Sequence, residues 1–175
     1  MPTPVLQHGG CRAAAIQYVI DAYDGVPGRP GKGLAHAQAA ADLVRAAGHD
    51  EAVQVAALLH DVVEDTPRTV QDVADTFGDR VASMVQALTE DPSIKHYAQR
   101  KRDLRSRAAA AGPEVLDISL ADKIASLRHA VLTGDKVSTR KLSHYRASLQ
   151  IGLAGGASDM LCEQLEDLLA VVSVK

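Results

Sequence analysis

An all-α fold is what this 175-residue sequence predicts, and three observations lead there. Alanine fills 29 positions and, with Leu, Arg, Gln and Glu, makes strong helix formers dominant. Aromatic residues are only 3% of the chain and Trp is absent, so helices must pack closely around small side chains. β-branched and aromatic residues never form the sustained alternation that a half-buried strand needs. With 46% hydrophobic residues and a net charge of −3, the chain is a folded one rather than a disordered one. A compact helical bundle of about eight or nine helices, one domain spanning 1–175, is the expectation.

The helices follow in order. Residues 11–23 place Ala15, Tyr18, Val19 and Ala22 on one stripe, and the glycine- and proline-rich stretch Asp24 to Gly33 ends that helix. Leu34 to Ala47 forms a second helix, closed by Gly48. Asp50 caps a third over Glu51 to Val63, where an acidic first turn suits the positive helix end. Thr66-Pro67 breaks it, and Thr69 caps a short helix that stops at Gly78. Residues 80–89 carry Val81, Met84, Val85 and Leu88 on one face, and Asp91-Pro92-Ser93 turns into a long polar helix reaching Ala111. Pro113 opens the next helix, to about Leu132, and two more follow over roughly 138–153 and 157–172 around Gly155-Gly156.

Several function classes are excluded or disfavoured. No apolar run approaches the roughly 20 residues of a membrane span, so no membrane partner is expected. The N-terminus lacks a basic segment followed by an apolar one, and Cys11 and Cys162 read as reduced thiols; a cytoplasmic protein is the expectation. The small net charge argues against a nucleic-acid partner, although six Lys/Arg crowd residues 95–107.

His60 and Asp61 stand together near the end of an otherwise apolar helix, AALLHDVVEDT. Ionisable neighbours in such a helix are costly when buried without partners, yet imidazole and carboxylate are good ligands for Mn²⁺, Fe²⁺, Zn²⁺ or Mg²⁺. Glu64 and Asp65 follow each of them by four residues, which on a continuous helix puts four polar groups beside one site. A bound cation would offset the penalty of concentrating acid at a helix C-terminus. A polar helix end facing solvent is the other reading of this segment. His36, read alone, could be an ordinary half-buried histidine, and Asp122 could pair with Lys123 or Arg128.

The order His36, His60-Asp61, Asp122, with VVEDT directly after the pair, resembles the HD-domain metal-dependent phosphohydrolases. Within them the sequence is most similar to the hydrolase domain of the (p)ppGpp synthetase/hydrolases of the stringent response and to the small alarmone hydrolases. The segments AALLHDVVEDTPRTVQDVADTFGDRVASMVQALTE and LADKIASLR carry the likeness, in a core of residues 30–130, and KLSHYRASLQ extends it more loosely.

The resemblance implies that His36, His60, Asp61 and Asp122 ligate one divalent cation, usually manganese, and that Glu64 and Asp65 orient and activate the attacking water. It implies removal of pyrophosphate from guanosine-3′,5′-bis(diphosphate), or ppGpp. Substrate contacts would fall on Arg29 and Lys32 before the first histidine, on Lys95 or Arg100 at the start of the basic helix, and on Ser126 and Tyr145. Two departures stand out: Ser126 replaces an Asn common in alarmone hydrolases, and GVPGRPGKG replaces a segment with Arg-Lys and aromatic residues. Another nucleotide phosphohydrolase and a non-catalytic ligand-binding module are the competing readings, and a homo-oligomer stays open.

Overall fold

The computed structural model describes residues 11–26, 33–172 and 174. Ten helical segments make up the fold: α1 (Cys11–Tyr23), α2 (Leu34–Ala46), α3 (Glu51–Leu59), α4 (Val62–Asp65), α5 (Val70–Phe77), α6 (Asp79–Leu88), α7 (Tyr97–Ala111), α8 (Pro113–Thr133), α9 (Thr139–Gly155) and α10 (Asp159–Val171). The all-α expectation holds; the one β element among the described residues is an isolated parallel bridge between Val137 and Val174. No described helix is long and apolar enough to cross a membrane.

The local signals act as read. Asp50 accepts a hydrogen bond from the Val53 N–H, and Thr69 and Asp72 form a reciprocal capping box at the start of α5. Gly78 ends α5 at φ +90°, a conformation that disfavours residues with a Cβ. Pro113 sits in the first turn of α8.

Helix α8 is the axis of the molecule. Val115, Leu116, Ile118, Leu120, Ala121, Ile124 and Leu127 are all buried, so it is apolar on nearly every side and packs against α2, α3, α6, α7, α9 and α10. Alanines make the closest approaches possible: Ala37, Ala40 and Ala41 of α2 and Ala56 and Ala57 of α3 lie in the core. Gly155 allows another, because a Cβ there would stand 2.4 Å from Leu116 Cδ1, and α9 runs through it before turning at Gly156.

One expected helix is two. The predicted run from Glu51 to Val63 is interrupted at His60-Asp61, between α3 and α4. The His60 Nδ1–H donates to the Ala57 carbonyl at 2.7 Å, the acceptor that the Asp61 N–H would use in an unbroken helix. The break therefore belongs to the histidine itself.

Buried Asp117 ties three parts of the chain together, accepting from His49 Nε2 at 2.6 Å and from the Ser158 N–H at 2.8 Å. Asp117→Ala should lower stability by about 2–3 kcal/mol, because both donors lose a charged acceptor in a site with no room for bulk water. Denaturant unfolding measures this directly, and an unchanged midpoint would show that neither bond contributes.

Candidate metal centre

Three helices deliver the four predicted ligands to one point. His36 comes from the first turn of α2, His60-Asp61 from the break between α3 and α4, and Asp122 from the middle of α8. One ligand atom from each of the four lies within 4.8 Å of every other. His36 Nε2 and Asp122 Oδ1 are 3.0 Å apart and share a hydrogen bond. The His36 and His60 rings face each other with centroids 5.5 Å apart.

His60 provides the fit test for an ion. Its Nδ1–H is committed to the Ala57 carbonyl, so in the neutral ring the lone pair lies on Nε2. That Nε2 is buried and makes no hydrogen bond, although Asp61 Oδ2 and Asp122 Oδ1 stand only 3.2 and 3.5 Å away. A buried nitrogen aimed at two carboxylates is poorly served by hydrogen bonding and well served by a cation. Two imidazoles and two carboxylates suit a borderline divalent ion.

The charge balance says the same. Burial opposes a charge on His60, yet Asp61 and Asp122 outweigh it and hold the imidazole pKa well above its ordinary value. Burial likewise opposes the Asp122 carboxylate, but His36, His60 and Lys123 keep its pKa well below the usual range. The cluster demands positive charge, as a proton or as an ion.

Around the cluster opens a cavity of about 290 Å³. Glu64 lines it, with Oε2 accepting from the Glu90 N–H at 3.2 Å. Ser126 and Tyr145 line it too; burial drives the tyrosine pKa far up, so its hydroxyl stays protonated, with Ser126 as a hydrogen-bonding neighbour.

Other predicted residues lie elsewhere. Asp65 does not line this cavity; its Oδ2 accepts from Tyr23 OH at 3.3 Å, in a depression towards α1. Lys95 and Arg100 do not line it either. Lys95 Nζ caps the Pro92 carbonyl at 2.8 Å, while Arg100 is held by Glu90 and the Ile94 carbonyl. Both side chains bond within the turn that starts α7, which is where the structure places them relative to the expected phosphate contacts. Arg29 and Lys32 lie outside the described residues.

The cations that do line the cavity are Lys101, Lys123 and Lys141. Lys101 pairs with Glu90. Lys123 is buried, donates to the Ser119 carbonyl and hydroxyl at 2.9 and 3.0 Å, and stands 3.5 Å from Asp122 Oδ2. His144 lines it as well, and burial with Lys123, Lys101 and Arg105 nearby pushes its pKa down to about 2. Sequence signals for these existed: Lys123 follows a ligand directly, and Lys141 and His144 precede Tyr145 within one helical turn. Spacing alone could not say which of six basic residues in the 95–107 run turns inward.

Comparison with known proteins gives the same picture. The family model described as "HD domain" matches residues 15–149. Guanosine-3′,5′-bis(diphosphate) 3′-pyrophosphohydrolase MESH1 of Drosophila melanogaster is 44% identical over 79 residues, 45% of this chain and 44% of the relative. A probable enzyme of the same name from Synechocystis is 34% identical over 125 residues, 67% of this chain and 16% of the relative. The matches thus span less than half the length of these curated relatives. A solved structure of a metazoan ortholog of SpoT, described as hydrolysing ppGpp with a role in starvation responses, superposes with a TM-score of 0.73 at 26% identity, over 95% of this chain and 97% of that one. A second, from Listeria monocytogenes, gives 0.67 at 26% identity over 77% of this chain and 93% of that one. With the match to the family model running from α1 to α9 and the His-His-Asp-Asp cluster at its centre, the chain belongs to the HD-domain family.

Proposed function

We propose that the protein is a divalent-metal-dependent phosphohydrolase that removes pyrophosphate from guanosine-3′,5′-bis(diphosphate). The observation that carries this is a four-ligand cluster, three of whose residues line the same cavity as three lysines, in a chain whose relatives bear that activity in their names. The whole chain is read as one HD-type unit acting in the cytoplasm.

His36, His60, Asp61 and Asp122 would hold the ion, and manganese is our choice, supported by the mixed nitrogen and oxygen donors. Such an ion supplies Lewis acidity, which makes water a nucleophile near neutral pH and offsets phosphoryl charge. The rest of the work falls to side chains of this chain. Glu64, whose Oε2 accepts from the Glu90 N–H, is the group to take a proton from the attacking water. Asp65, bonded to Tyr23, holds the α4 turn that presents Glu64. Lys101, Lys123 and Lys141 would counter the phosphate charge that grows in the transition state. Tyr145 and Ser126 would wall the nucleoside, the tyrosine as a neutral donor.

A second reading, hydrolysis of another nucleotide phosphate, is favoured by Ser126, which lines the cavity where the resemblance expects an amide. Serine lacks the paired donor and acceptor with which Asn reads a base edge. Assay of ppGpp, pppGpp, NADPH and ordinary nucleotides with manganese separates the two: pyrophosphate release from ppGpp supports the first, and phosphate release from simple monoesters alone supports the second.

Glu64→Gln should lower turnover by about 10²- to 10⁴-fold while leaving manganese content unchanged by elemental analysis. Unchanged turnover would remove Glu64 from the mechanism. Asp61→Ala and Asp122→Ala should lose both the ion and hydrolysis, and full activity in either ion-free variant would reject the reading.

The cluster also sets a pH dependence. His60 has a raised pKa, so in ion-free protein its stabilisation is complete below about pH 6.5 and fades as pH rises through the folded value. Asp122 behaves oppositely: its contribution is present above about pH 3.9 and is lost as pH falls through its depressed folded value. An ion must displace the His60 proton, so binding near pH 7 should release protons and weaken as pH falls. Calorimetry in buffers of different ionisation enthalpy measures the release; none at pH 7 would mean that His60 is already neutral.

A further inference from the structure

Beside the metal cavity, a second groove runs between α7 and α9. It shares Tyr97, Lys101 and His144 with that cavity, and it adds Arg102, Arg105 and Arg140. No Asp or Glu lines it. Several arginines of this protein meet a carboxylate: Arg80 takes Asp50 and Glu114, Arg100 takes Glu90, and Arg107 takes Asp103. Arg102, Arg105 and Arg140 have no such partner among the described residues.

Their geometry is that of a site built for an acceptor from outside. Arg140 stacks on the Tyr97 ring with its guanidinium carbon 4.2 Å from the centroid, which fixes its plane. Arg105 donates through one terminal nitrogen to His144 Nδ1 at 2.7 Å, while its Nε–H is buried with no acceptor. Leaving a buried guanidinium donor unmet is costly unless an anion meets it. Because Arg105 can only donate, His144 must accept at Nδ1 and carry its proton on Nε2. Nε2 has no partner among the described residues and is not sealed from solvent, so at the junction of groove and cavity stands a neutral N–H donor.

We propose that this groove is a second phosphate subsite, which binds the pyrophosphoryl group remote from the metal when a nucleotide with two phosphate chains is bound. It deepens the hydrolase reading, on which the identity of the ligand rests. Its chemistry explains how a cavity with an ordinary metal centre would prefer a nucleotide phosphorylated at both ends of its ribose. One chain lies at the ion among Lys101, Lys123 and Lys141; the other reaches Arg102, Arg105 and Arg140, with His144 between. Guanidinium groups suit this role, since they meet phosphate oxygens two at a time.

The test uses Arg102→Ala/Arg140→Ala, because both side chains are exposed and neither bonds to the core. With manganese-loaded enzyme, KM for guanosine-3′,5′-bis(diphosphate) should rise at least about tenfold, while KM for guanosine 3′-diphosphate, which lacks the 5′ chain, stays within about twofold of wild type. Independently of turnover, calorimetric titration of the protein with inorganic pyrophosphate in chelator should weaken by a similar factor in the variant. If the enzyme hydrolyses neither nucleotide yet the pyrophosphate titration weakens as expected, the hydrolase reading fails and the subsite stands. An equal rise in KM for both nucleotides, or an unchanged pyrophosphate titration, overturns the subsite. So does loss of single-stranded RNA binding in the variant with both nucleotide measurements unaffected, which would assign the groove to RNA.

Discussion

The Asp122 carboxylate between two histidines is the contact on which the molecule turns. It reaches His36 at 3.0 Å and His60 Nε2 at 3.5 Å, so one side chain of α8 registers α2 against α3. The backbones must come close for so short a side chain to meet both rings. That closeness comes from alanine: Ala37, Ala40 and Ala41 of α2 and Ala121 of α8 are all buried. A composition with 29 alanines and hardly an aromatic is thus the condition for the site, because bulkier contacts would hold the helices further apart.

A cluster this acidic inside a helical core would by itself resist folding. Two acids and two imidazoles in a half-buried pocket need compensating positive charge, and the raised His60 and depressed Asp122 pKa values express that demand. Lys123 answers part of it, buried beside Asp122 and tied to Ser119. The His60 side chain answers another part by breaking its own helix. Bonding Nδ1–H to Ala57 leaves the imidazole lone pair on Nε2 beside the two carboxylates, while in α4 Glu64 lines the cavity and Asp65 meets Tyr23.

That break marks where sequence reasoning stops. Helix caps at Asp50 and Thr69, turns at Gly78 and Gly112-Pro113, and the all-α class were legible because each depends on residues within a few positions. The four ligands were legible through their order and their company. The interruption at His60 was hidden, since AALLHDVVED has unbroken helical propensity and the competing bond is made by a side chain. Periodicity therefore stacked Asp65 beneath Asp61, where the structure turns it away. For Lys95 and Arg100 the local partners were equally hidden: a cation at a helix start reads as a ligand for phosphate, and the carbonyls of Pro92 and Ile94 also accept from these two. Inward-facing Lys101, Lys123 and Lys141 could be recognised only once α7, α8 and α9 had been assembled.

Glu90 joins acidic and basic groups of the cavity. Its backbone N–H holds Glu64, and its carboxylate holds Arg100 and Lys101. One residue thereby contacts both the proton acceptor and a cavity lysine. Lys123 stands beside the ligands, 3.5 Å from Asp122 Oδ2, and Lys101 and Lys141 line the cavity together with Glu64. A phosphoester needs both charges: its nucleophile must be deprotonated while its oxygens are held. The polarity of the cavity, more than any single side chain, is what a hydrolase of doubly charged phosphate groups requires.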